Sequence, residues 1–152
     1  MALARAMSIA LVGVVGHLVE VEADLALGLP GLVIVGLPDT ALSEARDRVR
    51  AAVVNSGQAW PSRRITLGLS PATLPKQGSG FDLAIAVTIL AAAGVVPAAA
   101  LDERAFVGEL GLDGRVRPCA GCCRRRWPPA APGCAGSWCR PTTCGRRRWC
   151  PA

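Results

Sequence analysis

Three sets of residues in this chain have types and spacings that could do chemistry. Cys119-x-x-Cys122 and Cys134-x4-Cys139 have the spacing of thiolate pairs that bind zinc. Arg124-Arg125-Arg126 and Arg146-Arg147-Arg148, interleaved with Trp127, Trp138 and Trp149, could clamp phosphates and stack bases. The loop Pro75-Lys76-Gln77-Gly78-Ser79-Gly80-Phe81-Asp82 holds the chain's only lysine beside a glycine-rich turn. That loop does not match G-x-x-x-x-G-K-[ST], and no other segment does. Without a phosphate-cradling loop and its lysine, nucleotide cannot be held in the P-loop manner.

Composition divides the chain at Pro118. All seven cysteines lie in residues 119–152, with three of the four tryptophans, seven arginines and no acid. Residues 1–118 carry ten basic against eleven acidic side chains, a balance of −1, whereas the tail carries +7. The body therefore offers no general basic field to attract nucleic acid. The odd cysteine count would leave one thiol outside any closed disulfide framework.

The elements that must position the loop can be read from periodicity. Residues 8–15 and 18–23 read as strands around a turn at Gly16-His17, with Val19, Val21 and Ala23 alternating against Leu18, Glu20 and Glu22. Arg5 and the apolar run behind it lack an A-x-A site and are not read as a leader. Residues 31–37 (GLVIVGL) read as a strand covered on both faces. Asp39 caps a helix whose Leu42, Ala45, Val49, Ala52 and Val53 share one face, and Gly57 ends it. Glu44 and Arg48 sit four apart in an alternating charge pattern that reads as a solvated face. Residues 64–69 form a strand and 70–80 a Pro/Gly/Ser loop. Residues 81–93 form an apolar helix with Asp82 at its positive end. The uncharged stretch 83–101 is broken by Gly94 and Pro97, so it reads as a buried helix and not a membrane span. Residues 106–110 and 115–117 form a hairpin turning at Asp113-Gly114. The order predicts an α+β domain with a mixed sheet and two helices rather than repeated βαβ units.

Four segments, in order, carry a family resemblance: VGLPDTALSEARDRVRAAVVNSG (35–57), RITLGLSPATLP (64–75), PKQGSGFD (75–82) and GELGLDGRVRP (108–118). Over residues 5–118 the chain resembles the N-terminal domain of magnesium chelatase-like AAA+ ATPases of the YifB/ComM type. The resemblance implies a Lon-protease-like fold (ribosomal S5 domain 2-like) over residues 1–118. It also implies an accessory or oligomerisation role beside an AAA+ motor that processes DNA in competence and recombination. It implies a cytoplasmic protein, partnered by further copies or by a downstream ATPase module. ATP, magnesium and DNA are expected only in the context of an intact relative; this chain alone is expected to bind no cofactor and to catalyse nothing.

Lon-like kinship makes Ser79 a candidate nucleophile, since Lon-type serines are activated by a lysine of lowered pKa. The family's Lon relatives supply that lysine later in the chain, and no lysine follows Lys76 here. Lys76 itself is expected to face solvent, a phosphate or a partner. Arg63 and Arg64 are candidate nucleic-acid or partner contacts, more simply read as a solvated strand edge. His17, the sole histidine, reads as a turn residue.

Three readings fit residues 119–152: a zinc knuckle through Cys119, Cys122, Cys134 and Cys139, a basic nucleic-acid arm, and a shifted reading frame. In a G+C-rich gene, stepping back one base turns Cys and Trp codons into Val or Leu and Arg codons into Ala or Pro. With suitable codons this restores a helix-then-strand pattern resembling the family. The frame shift accounts for the Cys, Trp and Arg surplus, the missing acids and the missing ATPase together. It predicts a truncated, marginally stable protein whose tail is disordered, because aperiodic Trp and Cys cannot offset the ordering entropy. A stand-alone nucleic-acid adaptor using the arginines is the alternative reading.

Overall fold

The computed structural model describes residues 2–13, 15–36 and 39–117; the side chains of Ala41 and Ser43 fall outside this description. The tail and its four candidate zinc cysteines therefore lie outside the described residues, as does the expectation of a disordered tail.

The described chain is a mixed α/β structure. Its elements are β1 (Ala2–Val12), β2 (Val15–Ala26), β3 (Gly31–Val35), a single turn α1 (Thr40–Ser43), α2 (Ala45–Asn55), β4 (Arg64–Ser70), α3 (Asp82–Ala92), β5 (Glu109–Leu110) and β6 (Val116–Arg117). The main sheet has the order β1-β2-β4-β3. β1 with β2 and β2 with β4 are antiparallel, while β3 runs parallel to β4. β3, α1–α2 and β4 thus form one parallel crossover inside an otherwise antiparallel sheet.

The first hairpin is longer than its hydrophobic pattern suggests. Register pairs Val12 with Val15, so the turn lies at Gly13 and not at Gly16-His17. Gly13 takes a positive φ of 62°, the left-handed geometry that two-residue hairpin turns favour. His17 is an exposed strand residue opposite Ala10. The alternation in β2 is as read: Val19, Val21 and Ala23 are fully buried, with Glu20, Glu22 and Asp24 on the other face.

The core lies on the Val19 face. Ile65, Leu67 and Leu69 continue it across β4, and Leu32 and Ile34 add to it from β3. α3 packs on β1 and β2, and α2 packs on α3. Leu42, Ala45, Val49, Ala52 and Val53 are all buried, the five positions that helical spacing places on one face. Ile85, Ile89 and Phe81 are fully enclosed, each worth roughly 1.5–3 kcal/mol of transfer free energy. α2 ends as its sequence requires. Gly57 adopts φ 83°, and Gln58 N–H reaches back to the Val53 carbonyl at 3.1 Å.

Two expectations about edges are corrected. β3 is not covered on both faces; it is an edge strand with Val33 and Val35 exposed. Arg64 is not on a sheet edge, since β4 lies between β2 and β3 and Arg64 is flanked by Ala26 and Gly31. At the other margin β1 is partly shielded. Phe106 N–H donates to the Met7 carbonyl at 2.8 Å, and Ser8 Oγ donates to the Phe106 carbonyl at 2.9 Å.

Candidate functional site: the loop between β4 and α3

The loop that leaves β4 returns to α3 through a set of buried polar contacts, and Lys76 is its centre. Its side chain is 1% exposed, so the expectation of a solvated lysine is wrong. Lys76 Nζ donates to the carbonyl oxygens of Pro71 at 2.5 Å, Leu74 at 2.9 Å and Gly36 at 3.0 Å. An ammonium has three N–H donors and no acceptor, and all three are used. Burial pushes the Lys76 pKa down. The carbonyl oxygens oppose that by stabilising the charged form. Lys76 thus ties two turns of its own loop to the end of β3. Gly36 is fitted to this place: a Cβ there would lie 2.3 Å from the Leu69 carbonyl oxygen, and its φ is 114°.

Asp39 makes the second tie. Its Oδ1 accepts from Leu42 N–H at 2.7 Å, the helix cap that the sequence predicts, and its Oδ2 accepts from Gly78 N–H at 3.1 Å. The Asp39 N–H in turn donates to the Lys76 carbonyl at 3.4 Å. One aspartate therefore starts the α1 turn and fixes the glycine loop.

At the head of α3, Asp82 is fully buried and meets Arg48 from α2. Arg48 Nε donates to Asp82 Oδ2 at 2.9 Å and its Nη2 to Oδ1 at 3.1 Å, a bidentate fork. Asp82 Oδ2 also accepts from Leu110 N–H at 3.4 Å. Burial raises the Asp82 pKa and the Arg48 hydrogen bond pulls it back without cancelling the rise. The same hydrogen bond raises Arg48. Arg48 is consequently not part of a purely solvated helix face, although Glu44 does approach it at 3.7 Å from the i−4 position.

Ser79 Oγ donates to Glu109 Oε2 at 2.5 Å. Two backbone bonds run beside this contact: Gly108 N–H to the Gly80 carbonyl at 3.0 Å and Leu83 N–H to the Gly108 carbonyl at 3.1 Å. The structure therefore pairs Ser79 with Glu109 and Arg48 with Asp82, and links Asp39 to the backbone of Lys76 and Gly78. It does not join Ser79 to Lys76, because each already has other partners. A serine with a carboxylate neighbour and no lysine base lacks the dyad of Lon-type chemistry.

Arg63 and Arg64 stand apart from this loop, exposed at the start of β4 beside the β2–β3 turn. Among the described residues, no group of three or more His, Cys, Asp or Glu side chains is placed to hold a metal ion. Nor, among them, is any helix long and apolar enough to cross a membrane. Sequence reasoning missed Glu109 and the partners of Arg48 and Asp82. The only local hint was a charged residue at the head of an otherwise apolar helix.

Comparison with known proteins places the loop in a wider context. Over 121 residues the chain is 57% identical to the Mycobacterium tuberculosis (strain H37Rv) uncharacterized protein Rv2897c, covering 80% of this chain and 24% of that one. It is 50% identical over 108 residues to Escherichia coli K12 YifB, covering 71% of this chain and 21% of YifB. It is 47% identical over 117 residues to the Haemophilus influenzae competence protein ComM, covering 77% and 23% respectively. The chain thus spans about a quarter of the length of the curated relatives it matches. Residues 21–126, which include the whole of the loop and both helices, match the family described as subunit ChlI of Mg-chelatase. The chain belongs to this magnesium chelatase-like family.

Proposed function

We propose that this chain supplies a non-catalytic accessory and oligomerisation domain of the kind that precedes the AAA+ motor in YifB- and ComM-like proteins. The observation that carries the reading is the saturation of Lys76 by three backbone carbonyls. The one lysine in the chain serves to hold a loop, and neither a phosphate nor a serine can use it. The residues present do not fit ATP with magnesium: the sequence has no P-loop, and its sole lysine is enclosed. No step through a nucleotide is therefore assigned to this chain. A Lon-protease-like fold is consistent with the mixed sheet and two eleven-residue helices. DNA processing in competence belongs, in this reading, to the full-length relatives. We read residues 119–152 as the product of a shifted frame, in line with the change of composition at Cys119.

Purified 152-residue chain should hydrolyse neither ATP nor casein above a blank. ATP turnover at any measurable rate would overturn the reading. Steeply salt-dependent DNA binding that disappears on deletion of residues 119–152 would favour the adaptor alternative. Resequencing across the codons for Pro118 and Cys119 tests the frame. Continuation of the earlier frame into a Walker A motif supports the shift, and its absence from both frames removes it.

A further inference from the structure

The outer margin of β3 is an open sheet edge among the described residues. Sheet edges are usually blunted by charge, proline or a covering segment, because free backbone groups otherwise recruit another strand. β1 at the opposite margin has such cover from residues 105 and 106. β3 has none. Its five residues, Gly31–Val35, carry no charge and no proline, and Val33 and Val35 are 46% and 55% exposed. Two leucines leading into it, Leu27 and Leu29, are each 89% exposed.

Backbone parity identifies the open groups. Gly31 N–H donates to the Arg63 carbonyl at 3.4 Å, so Gly31, Val33 and Val35 turn their backbone groups toward β4. Leu32 and Ile34 then turn theirs outward, two N–H donors and two carbonyl acceptors in alternation.

We propose that β3 is a self-pairing edge, and that its occupant is β3 of a second copy of this chain, antiparallel about a two-fold axis at Val33. In that register Leu32 of one copy faces Ile34 of the other. Each such pair exchanges both of its hydrogen bonds, and all open groups on both edges are satisfied. Neighbouring registers fail. Centring on Leu32 would set Ile34 against Pro30, which has no N–H. Centring on Ile34 would set Leu32 against Gly36, whose φ of 114° lies outside strand geometry. A charged partner strand would find no counter-charge on this edge, whereas an identical uncharged strand needs none. The sheet would continue through the axis as eight strands, with Val33 stacked on Val33 at a non-hydrogen-bonded position about 4.5 Å apart. The inference rests on the reading of this domain as an assembly module, and the two fail separately. Association untouched by changes at Val33 would keep an assembly module and discard this edge.

The test uses the full chain in reducing buffer, followed by sedimentation velocity at tens of micromolar. The expected mass is twice 15.7 kDa. Val33→Lys and Val33→Glu each place like charges face to face across the axis and should weaken the dimer by at least about tenfold, with far-UV circular dichroism unchanged. An equimolar mixture of the two should return to the dimer mass, which a folding defect would not do. Val33→Thr, β-branched and uncharged, should remain dimeric. A monomeric wild type, charged variants that stay dimeric, or a mixture that stays monomeric would each overturn the proposal.

Discussion

Arg48 and Asp82, thirty-four positions apart, are joined by two near-parallel hydrogen bonds that clamp α2 to the head of α3. Arg48 is 23% exposed and Asp82 not at all, so the carboxylate depends on the guanidinium for most of its solvation. Arg48→Met should destabilise the fold by about 3–5 kcal/mol, the usual cost of leaving one buried charge unpaired. The double variant Arg48→Met with Asp82→Leu should recover part of that loss, limited by the orphaned Leu110 N–H. Urea midpoints of the three variants measure both effects.

The same carboxylate sets a pH dependence. Burial holds the Asp82 pKa above its unfolded value even with Arg48 beside it. Between the unfolded pKa of about 4 and the raised folded value, the folded state binds more protons than the unfolded state. Its contribution is complete below the unfolded pKa and is lost as pH rises through the folded one. Thermal midpoints of wild type relative to Asp82→Asn should therefore be most favourable at the acid end and decline through that window. A flat difference would contradict the assigned environment.

Lys76 should be among the least replaceable side chains. Lys76→Met keeps the apolar stem and removes the ammonium, leaving three carbonyls without their donor, at a cost of about 3 kcal/mol or more. Lys76→Arg should not rescue it, because a planar fork cannot point three donors at convergent oxygens. Chemical denaturation of both variants would show this, and near-native stability of Lys76→Met would refute the role given to the loop.

Ser79→Ala should lower stability by about 1.5–3 kcal/mol, the range for a hydrogen bond to a charged acceptor. It should change no hydrolytic rate, since none is expected in the parent. A peptidase activity present in the wild type and abolished in Ser79→Ala would instead revive the nucleophile.

Asp24 lies on the open face of β2, and among the described residues its Oδ1 is buried with no hydrogen-bond partner. Asp24→Thr removes an unsatisfied acceptor and introduces a β-branched residue in a strand. It should raise the unfolding free energy by about 1 kcal/mol. An unchanged or lower urea midpoint would count against it.

What the sequence could convey depended on range. The buried face of α2 follows from spacing alone, and Asp39 and Gly57 mark its ends because caps act over three or four residues. The β2 alternation and the Asp113-Gly114 turn are equally local. The edge position of β3 was hidden, since an apolar run looks the same whether one or both margins are paired. The first turn was misplaced because Gly13 interrupts an apolar pattern that resumes on either side. Lys76 and Arg48 were read as surface charges for the same reason. Their partners at Gly36 and Asp82 come from segments that only the tertiary fold brings together.

The strand order also has a consequence during synthesis. β4 sits between β2 and β3, so the two strands made before it cannot pair with each other in the native arrangement. A ribosome that has released residues 1–63 has a hairpin and a helix-bearing segment with two waiting margins. The sheet closes only when residues 64–70 emerge, and Lys76 secures it a few codons later. A pause in translation ahead of β4 would prolong the interval in which Leu27, Leu29 and β3 can engage a neighbouring nascent chain. The order of strands in this sheet therefore leaves β3 without its native neighbour until the chain has been made as far as residue 70.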